Sequence, residues 1–308
     1  MSRIIITGGS GMVGQAFTDL LPDALFVDSS ICDLRCREEV EKLFLQEHPQ
    51  HVIHLAAKVG GVKANSQNLG TFYHDNILIN SHVLEAARIF KVEKVVSMLS
   101  TCIYPDNVKY PLTEDQIHNG KPHPSNYAYA YAKRMLDIQS QAYRDQYGCN
   151  FITLVPNNLF GEYDNFDLEN SHLIPALIRK MHEAKLKNTD VTLWGDGKAL
   201  REFTYSKDLA KIVLLLLERY DEREPINVGN TTEYSIKEVA DTIAKIMEFD
   251  GEIVWDESQP KGQHRKPSLN KKLLNLGWEH EDYTPFKLAL SKTCAWFVAN
   301  YPNIRGVQ

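Results

Sequence analysis

The sequence predicts an α/β fold, a doubly wound parallel sheet followed by a smaller C-terminal α/β domain. Three observations carry this. Short β-branched runs alternate with helical stretches from the N-terminus to about residue 160, the order that builds parallel βαβ units. The first run, I-I-I-T, passes straight into G-G-S-G-M-V-G-Q, which sets glycines between a strand and a helix. Beyond residue 161 the pattern changes to polar loops, short strands and amphipathic helices. The expected division is 1–160 and 161–308, with part of 206–228 returning to the first domain.

The bulk composition narrows the class. With 308 residues, 43% hydrophobic and 24% charged, the chain suits one large domain or two joined ones. A net charge of −6 argues against nucleic acid as a partner, though a local basic pocket for a small anion remains compatible with it. No apolar run approaches the length that crosses a bilayer, and the start M-S-R-I-I-I-T lacks the layout of a signal peptide, so no membrane partner is expected. The five cysteines, at 32, 36, 102, 149 and 294, show no paired metal-ligand spacing. Reduced thiols in a cytoplasmic protein, no metal, and core positions for Cys149 and Cys294 are the expectation.

The elements follow in order. Residues 3–7 form a strand, and Gly8, Gly11 and Gly14 make a G-x-x-G-x-x-G loop after it. The first glycine allows the tight turn, the second lets backbone approach a pyrophosphate, and the third lets the helix pack close to the strand. The helix start then turns its positive dipole end to the phosphates. This is a dinucleotide site of Rossmann-like type. Residues 24–27 form the second strand, ending at Asp28. An acid there suits the ribose hydroxyls of NAD, whereas a nearby Arg suits the 2′-phosphate of NADP. Arg35 and Arg37 reach that place only if their loop folds back, and Asp33 is a further candidate for the adenine end. A helix over 38–46 and a strand over 52–55 lead to Ala56 and Ala57, small residues where backbone must approach a ligand, and then to a Gly-containing loop over 58–62. A helix over 76–90 and a strand over 94–99 end in S-T-C-I-Y-P, which puts the Ser100 hydroxyl at the same crevice.

A loop over 107–125 precedes N-Y-A-Y-A-Y-A-K-R-M-L-D. If this run is helical, Tyr129 and Lys133 lie on one face, four residues apart, and a Lys⁺ beside the phenol lowers its pKa. A phenol so tuned exchanges a proton with a carbonyl/alcohol pair. Tyr127 and Tyr131 fall off that face. Strands are expected over 150–154, 191–194, 226–228 and 252–256, and helices over 172–185, 208–220, 235–247 (capped by Ser235 and Glu238) and 285–300.

Taken together, G-G-S-G-M-V-G, the strand-end Ser100-Thr101 and Tyr129-x-x-x-Lys133 resemble the extended short-chain dehydrogenase/reductase family, which acts on nucleotide sugars. The resemblance runs along the whole chain. S-T-C-I-Y-P, V-P-N-N-L-F-G, D-N-F-D-L-E-N-S-H-L-I-P-A-L and W-G-D-G-K-A-L-R-E-F are similar to members that epimerise C3 and C5 of GDP-4-keto-6-deoxy-D-mannose and then reduce its C4 ketone. The resemblance implies that Tyr129 protonates the C4 oxygen, that Lys133 tunes Tyr129 and holds the nicotinamide ribose, that Ser100 bonds the C4 oxygen, and that Cys102 and His172 form the acid/base pair of the epimerisation. Both titrate near enough to neutral for that work. Alternation along a strand would put Cys102 on the side of Ser100.

For the cofactor the resemblance implies Gly8, Gly9, Ser10, Gly11, Met12, Val13 and Gly14, then Asp28, Leu55, Ala56, Ala57, Leu99, Lys133, Pro156, Asn157, Asn158, Leu159 and His172. For the GDP-sugar it implies Asn158, Lys180, Trp194, Arg201 and Lys266. A bidentate Arg201 suits a pyrophosphate. Plainer alternatives stand beside these: a surface lysine for Lys180, a core side chain for Trp194, a small buried thiol for Cys102, and a helix-start residue bonded to backbone for His172. The family prefers NADPH, while Ser10 and Asp28 replace basic residues of bacterial members, so NADP(H) is implied and NAD(H) stays open. Lys261 stands where those members carry an acid. The family is homodimeric, which points to the helices over 76–90 and 133–147 as the interface. A nucleotide-sugar 4-epimerase, a 4,6-dehydratase and a catalytically silent dinucleotide sensor are the competing readings. The acids that dehydratases carry are absent at Cys102.

Overall fold

The computed structural model describes residues 3–61, 65, 67–258 and 264–307. Residues 259–263, with Lys261, lie outside the described residues. Six strands form the main sheet: β1 (Ile4–Thr7), β2 (Leu25–Val27), β3 (His51–His54), β4 (Lys94–Met98), β5 (Phe151–Pro156) and β9 (Ile226–Val228). They are all parallel, in the order β2-β1-β3-β4-β5-β9. The order reverses between β1 and β3, and it is outside the carboxyl ends of strands at such a point that ligands bind.

The strands read as continuous apolar runs because both faces are covered. Ile5, Val52, Val95 and Phe151 point into one core with helices α2 (Arg37–Glu47) and α3 (Leu69–Ile89). Their neighbours Ile6, Ile53, Val96 and Ile152 point into the other, with Leu209, Ile212, Val213 and Leu216 of α6 (Ser206–Arg219). One residue of register would exchange the two sets. On the first face α4 (Tyr127–Tyr147) packs beside α3, with Leu136 in that core, and β9 adds a strand from late in the chain, with Leu154 opposite Ile226.

The remaining elements build a second core. Strand β8 (Leu200–Tyr205) lies between β6 (Asn158–Phe160), parallel to it, and β10 (Glu233–Ser235), antiparallel. Strands β7 (Val191–Trp194) and β11 (Ile253–Asp256) form a parallel pair. Around them stand α5 (Leu173–Lys187), α7 (Ile236–Met247) and α9 (Phe286–Asn300), which share a core with Phe160, Phe203 and Tyr205. A short α8 (Lys271–Asn275) packs its Leu273 into the second face of the main sheet. Ser235 and Glu238 cap α7 reciprocally, as their spacing implies.

Two expectations are corrected here. The helix after the Gly-rich loop, α1, is only Met12–Gln15, and the chain continues in tighter turns to Leu21. Its dipole is therefore that of one turn, and the loop's own N–H groups carry more of the anion attraction than expected. Helix α3 begins at Leu69, seven residues before the expected start at residue 76. Its first turns bury Asp75, Asn76 and Asn80 instead of an apolar stripe; Asn76 exchanges bonds with the Lys58 backbone at 2.9 and 3.0 Å. A polar buried face has no hydrophobic period to read.

Candidate active site

The Gly-rich loop fills the reversal point. Gly8 has φ +73°, and a side chain there would meet Ala56 N at 2.9 Å. A Cβ on Gly14 would lie 2.5 Å from the carbonyl oxygens of Gly8 and Gly9, and one on Gly9 would strike Phe26 at 2.7 Å. The loop thus folds against β2 and the Leu55–Ala57 turn after β3, and leaves backbone rather than side chains facing the crevice. That is the cradle a dinucleotide pyrophosphate needs. At the end of β2, the Asp28 carboxylate accepts from Ser30 N at 2.9 Å and Ser30 Oγ at 2.6 Å, and with Ser10 beside it stays below the usual acid range. Arg35 is paired with Asp33 at 2.8 Å and Asp75 at 3.5 Å, and Arg37 with Glu41 at 2.6 Å. The guanidinium groups are committed to carboxylates of their own neighbourhood.

Tyr129 and Lys133 lie on α4, with the Lys133 ammonium 6.0 Å from the Tyr129 ring centre. One face holds both, as the spacing implies. The expected electrostatic effect is absent. Lys133 donates to the Met98 carbonyl at 2.7 Å, and burial pulls its pKa down to about 8. Burial also drives the Tyr129 phenol up, with Cys102 adding to the rise, and Lys133 does not offset it. Desolvation outweighs an ammonium that is turned to a carbonyl.

Ser100 and Cys102 come together for a different reason than alternation. The strand ends at Met98, and Thr101–Ile103 is a 3₁₀ turn capped by Ser100, whose Oγ accepts from Cys102 N at 3.5 Å. The thiol is raised by burial, while Ser100, Lys266 and Lys133 act in the opposite direction. His172 is the N-cap residue of α5, with φ −78° and ψ 175°, and its side chain makes no capping bond. Its imidazole is exposed by area yet surrounded closely enough that desolvation lowers its pKa.

The residues expected to meet the nucleotide lie on α5, β7 and β8. Trp194 is 65% exposed, so it is no core residue, and Lys180 lies 5.8 Å from its ring centre while donating to Thr192 O at 3.3 Å. Arg201 sits half-buried on β8 and donates to Leu200 O at 2.7 Å. Asn158 donates to Glu202 O at 2.8 Å. Its neighbour Asn157 is buried and bonds Asn230 O at 2.8 Å. Leu99 and Pro156 are buried at the strand ends, and Leu159 is half-buried. Lys266 lies close enough to Arg201 for the two charges to interact. It donates to Thr101 O at 2.8 Å, next to Cys102.

Two positioning features carry no legible sequence signal. Arg134 donates to Ile103 O and Gly120 O, each at 2.7 Å, and so ties α4 to the Cys102 turn. His54, fully buried and pulled down to about 3 by desolvation, joins Thr7 at 2.8 Å to Asn80 at 3.1 Å. Asn80 in turn bonds Ala132 O at 3.4 Å, beside Lys133. The neutral ring holds the ends of β1 and β3 in register with the helix that carries Tyr129.

A dinucleotide cradle at a reversal point, facing a Tyr/Lys helix and a Ser/Cys turn, defines the class. The chain belongs to the NAD dependent epimerase/dehydratase family, whose model matches residues 4–229. It is 44% identical to a GDP-L-fucose synthase of Dictyostelium discoideum over 98% of this chain and 97% of that one. It is 36% identical to the GDP-L-fucose synthase of Escherichia coli over 99% of each. A crystal structure of a GDP-L-fucose synthetase from Naegleria fowleri bound to NADP superimposes with a TM-score of 0.94 at 39% identity, covering 99% and 95% of the two chains. Within its family the chain stands among the GDP-L-fucose synthases.

Proposed function

We propose that this protein converts GDP-4-keto-6-deoxy-D-mannose to GDP-L-fucose, by 3,5-epimerisation followed by NADP(H)-dependent reduction at C4. The observation that carries it is the Ser100–Cys102 turn set against the Tyr129/Lys133 face, beside a glycine cradle that leaves no room for a side chain at Gly8, Gly9 or Gly14. A 4-epimerase has no use for a second proton-transfer pair beside its Tyr and Ser.

The residues present fit the cofactor. Gly8 to Gly14 would hold the pyrophosphate, and Lys133 the nicotinamide ribose. The nicotinamide, when bound, supplies the hydride. In the epimerisation, Cys102 and His172 take a proton next to the ketone on one face and return one on the other. With Cys102 as the thiolate base, His172 returns the proton to the other face from its imidazolium form. In the reduction, Tyr129 gives its proton to the C4 oxygen, and the burial that raises its pKa keeps it in the protonated form this step uses. Ser100 Oγ hydrogen-bonds the same oxygen. Trp194 would stack on the guanine, with Lys180 and Arg201 on the phosphates. In this reading residues 1–160 and 206–228 serve the dinucleotide, and the rest of 161–308 the sugar nucleotide.

We further propose a homodimer through α3 and α4, whose Tyr73, Ile89, Met135, Ile138 and Tyr147 are exposed apolar side chains. Five free cysteines suit a reducing cytoplasm, and no helix among the described residues is long and apolar enough to cross a membrane. The test of function is turnover of GDP-4-keto-6-deoxy-D-mannose in D₂O with NADPH and NADH side by side. GDP-L-fucose carrying solvent deuterium at C3 and C5 is expected. Reduction with no deuterium at those carbons would refute the reading.

A further inference from the structure

Cys102 has a difficulty that its own turn does not solve. A base must be thiolate, and burial favours the thiol. We propose that Lys266 is the positioning residue for this base: its ammonium, bonded to the carbonyl beside Cys102, fixes the turn and stabilises the thiolate that draws the proton next to the ketone. The proposal rests on the function given above.

The geometry is a clamp. Lys266 Nζ donates to Thr101 O at 2.8 Å, and Arg134 Nε donates to Ile103 O at 2.7 Å. These are the two carbonyls that flank Cys102. Cys102 N is bonded to Ser100 Oγ at 3.5 Å. The charged and titratable groups that bear on the thiol are Tyr129, Lys133 and Arg134 of α4, Ser100 on its own turn, and Lys266 from across the cleft. Of the two lysines, Lys133 is spent on Met98 O and is pulled down to about 8. Lys266 is lowered by burial too, and the Cys102 thiolate and Asp106 oppose that fall, while Arg201 adds to it. A cation and a thiolate that each raise the other's charged form make a pair.

Lys266 is also held on a segment that feels the substrate side. Leu200 N donates to His264 O at 2.8 Å, next to Arg201 on β8. Leu112 N donates to Pro267 O at 2.8 Å, and Ser268 N donates to Glu202 at 2.8 Å. One short stretch thus bonds the strand of Arg201 at one end and the Cys102 turn at its middle. In the step itself the thiolate takes the proton, the C–H electron pair becomes the enolate of the C4 ketone, and the His172 imidazolium gives a proton to the opposite face, which restores the ketone and leaves a thiol and a neutral imidazole. As the thiol forms, the negative charge beside Lys266 moves to the enolate oxygen, so the ammonium favours the thiolate over the thiol.

The test reads the thiol directly, in the protein without substrate. Alkylation of Cys102 by iodoacetamide is followed against pH by mass spectrometry of its peptide, in wild type, Lys266→Met, Lys266→Gln and Lys266→Arg. Removing a cation that faces a thiolate moves its titration up by about one unit or more, so Met and Gln are expected to slow alkylation at neutral pH about tenfold, and Arg to restore it. Gln keeps a donor for Thr101 O without charge, which separates charge from tethering. With substrate, deuterium entry at C3 and C5 should fall by the same factor. A Cys102 profile that stays in place in both Met and Gln variants, with only KM raised, would overturn the proposal and make Lys266 a substrate contact. Because alkylation needs no substrate, this failure is distinguishable from failure of the proposed reaction.

Discussion

Lys133 is held against its own solvation, and the cost can be measured. Lys133→Met removes the ammonium and keeps a side chain of similar length. The lysine falls from 10.5 to about 8 in the folded chain, which at 1.36 kcal/mol per unit is worth about 3 kcal/mol. The sign follows from linkage. Below pH 8 the lysine is protonated folded and unfolded, and the full penalty applies. As pH rises through 8 the folded form gives up its proton while the unfolded chain keeps its own to about 10.4, so stability rises over that window. The methionine variant has no such slope. Losing the bond to Met98 O costs it about 1 kcal/mol. At pH 6–7 the variant should therefore be more stable than wild type by about 2 kcal/mol, and the advantage should shrink steadily above pH 8. Urea unfolding of both ligand-free proteins from pH 6 to 9.5 gives the difference, in which other titrations cancel. A difference that does not change with pH, or a variant less stable at pH 6, would refute the account of Lys133 as a desolvated ammonium. The variant should also be a poor reductase, a trade of stability for activity seen where function needs a strained group.

Two further outcomes follow from the site. Tyr129→Phe should cut C4 reduction about 10²–10⁴-fold while deuterium still enters at C3 and C5, and Cys102→Ser should do the reverse, passing an already epimerised ketone; both are read by mass and NMR of the product, and loss of both activities in either variant would break the assignment of separate roles. Trp194→Ala should leave Tm unchanged, since the ring is 65% exposed, and weaken GDP binding by about 1–3 kcal/mol, the worth of an aromatic stack on a base; calorimetric titration with GDP checks it, and unaltered affinity would remove Trp194 from the nucleotide site.

Local chemistry was legible where one segment holds the whole reason. The Gly8–Gly14 loop is such a case, because the turn, the close approach and the helix packing all fall within seven residues of one another. Tyr129 and Lys133 are another, fixed by helical spacing alone. The Ser100–Cys102 pairing was reached by a wrong route, since a 3₁₀ turn and not strand alternation brings them together. Strands β6, β8 and β10 were not legible, because each is a short run whose ladder partner lies far along the chain: Arg201 faces Tyr234, and Asn158 faces Phe203. The surroundings of Lys266 were not legible either. Its bond to Thr101 spans 165 residues, and no spacing rule sees that far.

The titrating groups of the cleft share one perturbation and differ in what it does to them. Desolvation is the first cause for Tyr129, Lys133, Cys102, His172 and Lys266 alike. It favours the neutral form of each. In the proposed reaction the neutral form of Tyr129 is the working one, a phenol that still has its proton, whereas His172 has to carry the proton that it returns. For Cys102 the neutral form is the wrong one, and the required charge has to come from a neighbour. A dry cleft therefore suits the reduction as it stands and suits the epimerisation only with a cation placed beside the thiol. On the proposed reading one cleft runs both halves of the reaction, with Lys266 adding to the Lys133 charge beside the thiol. Separating the two supports, α4 for Tyr129 and the 264–268 segment for Cys102, lets each proton sit where its own step needs it.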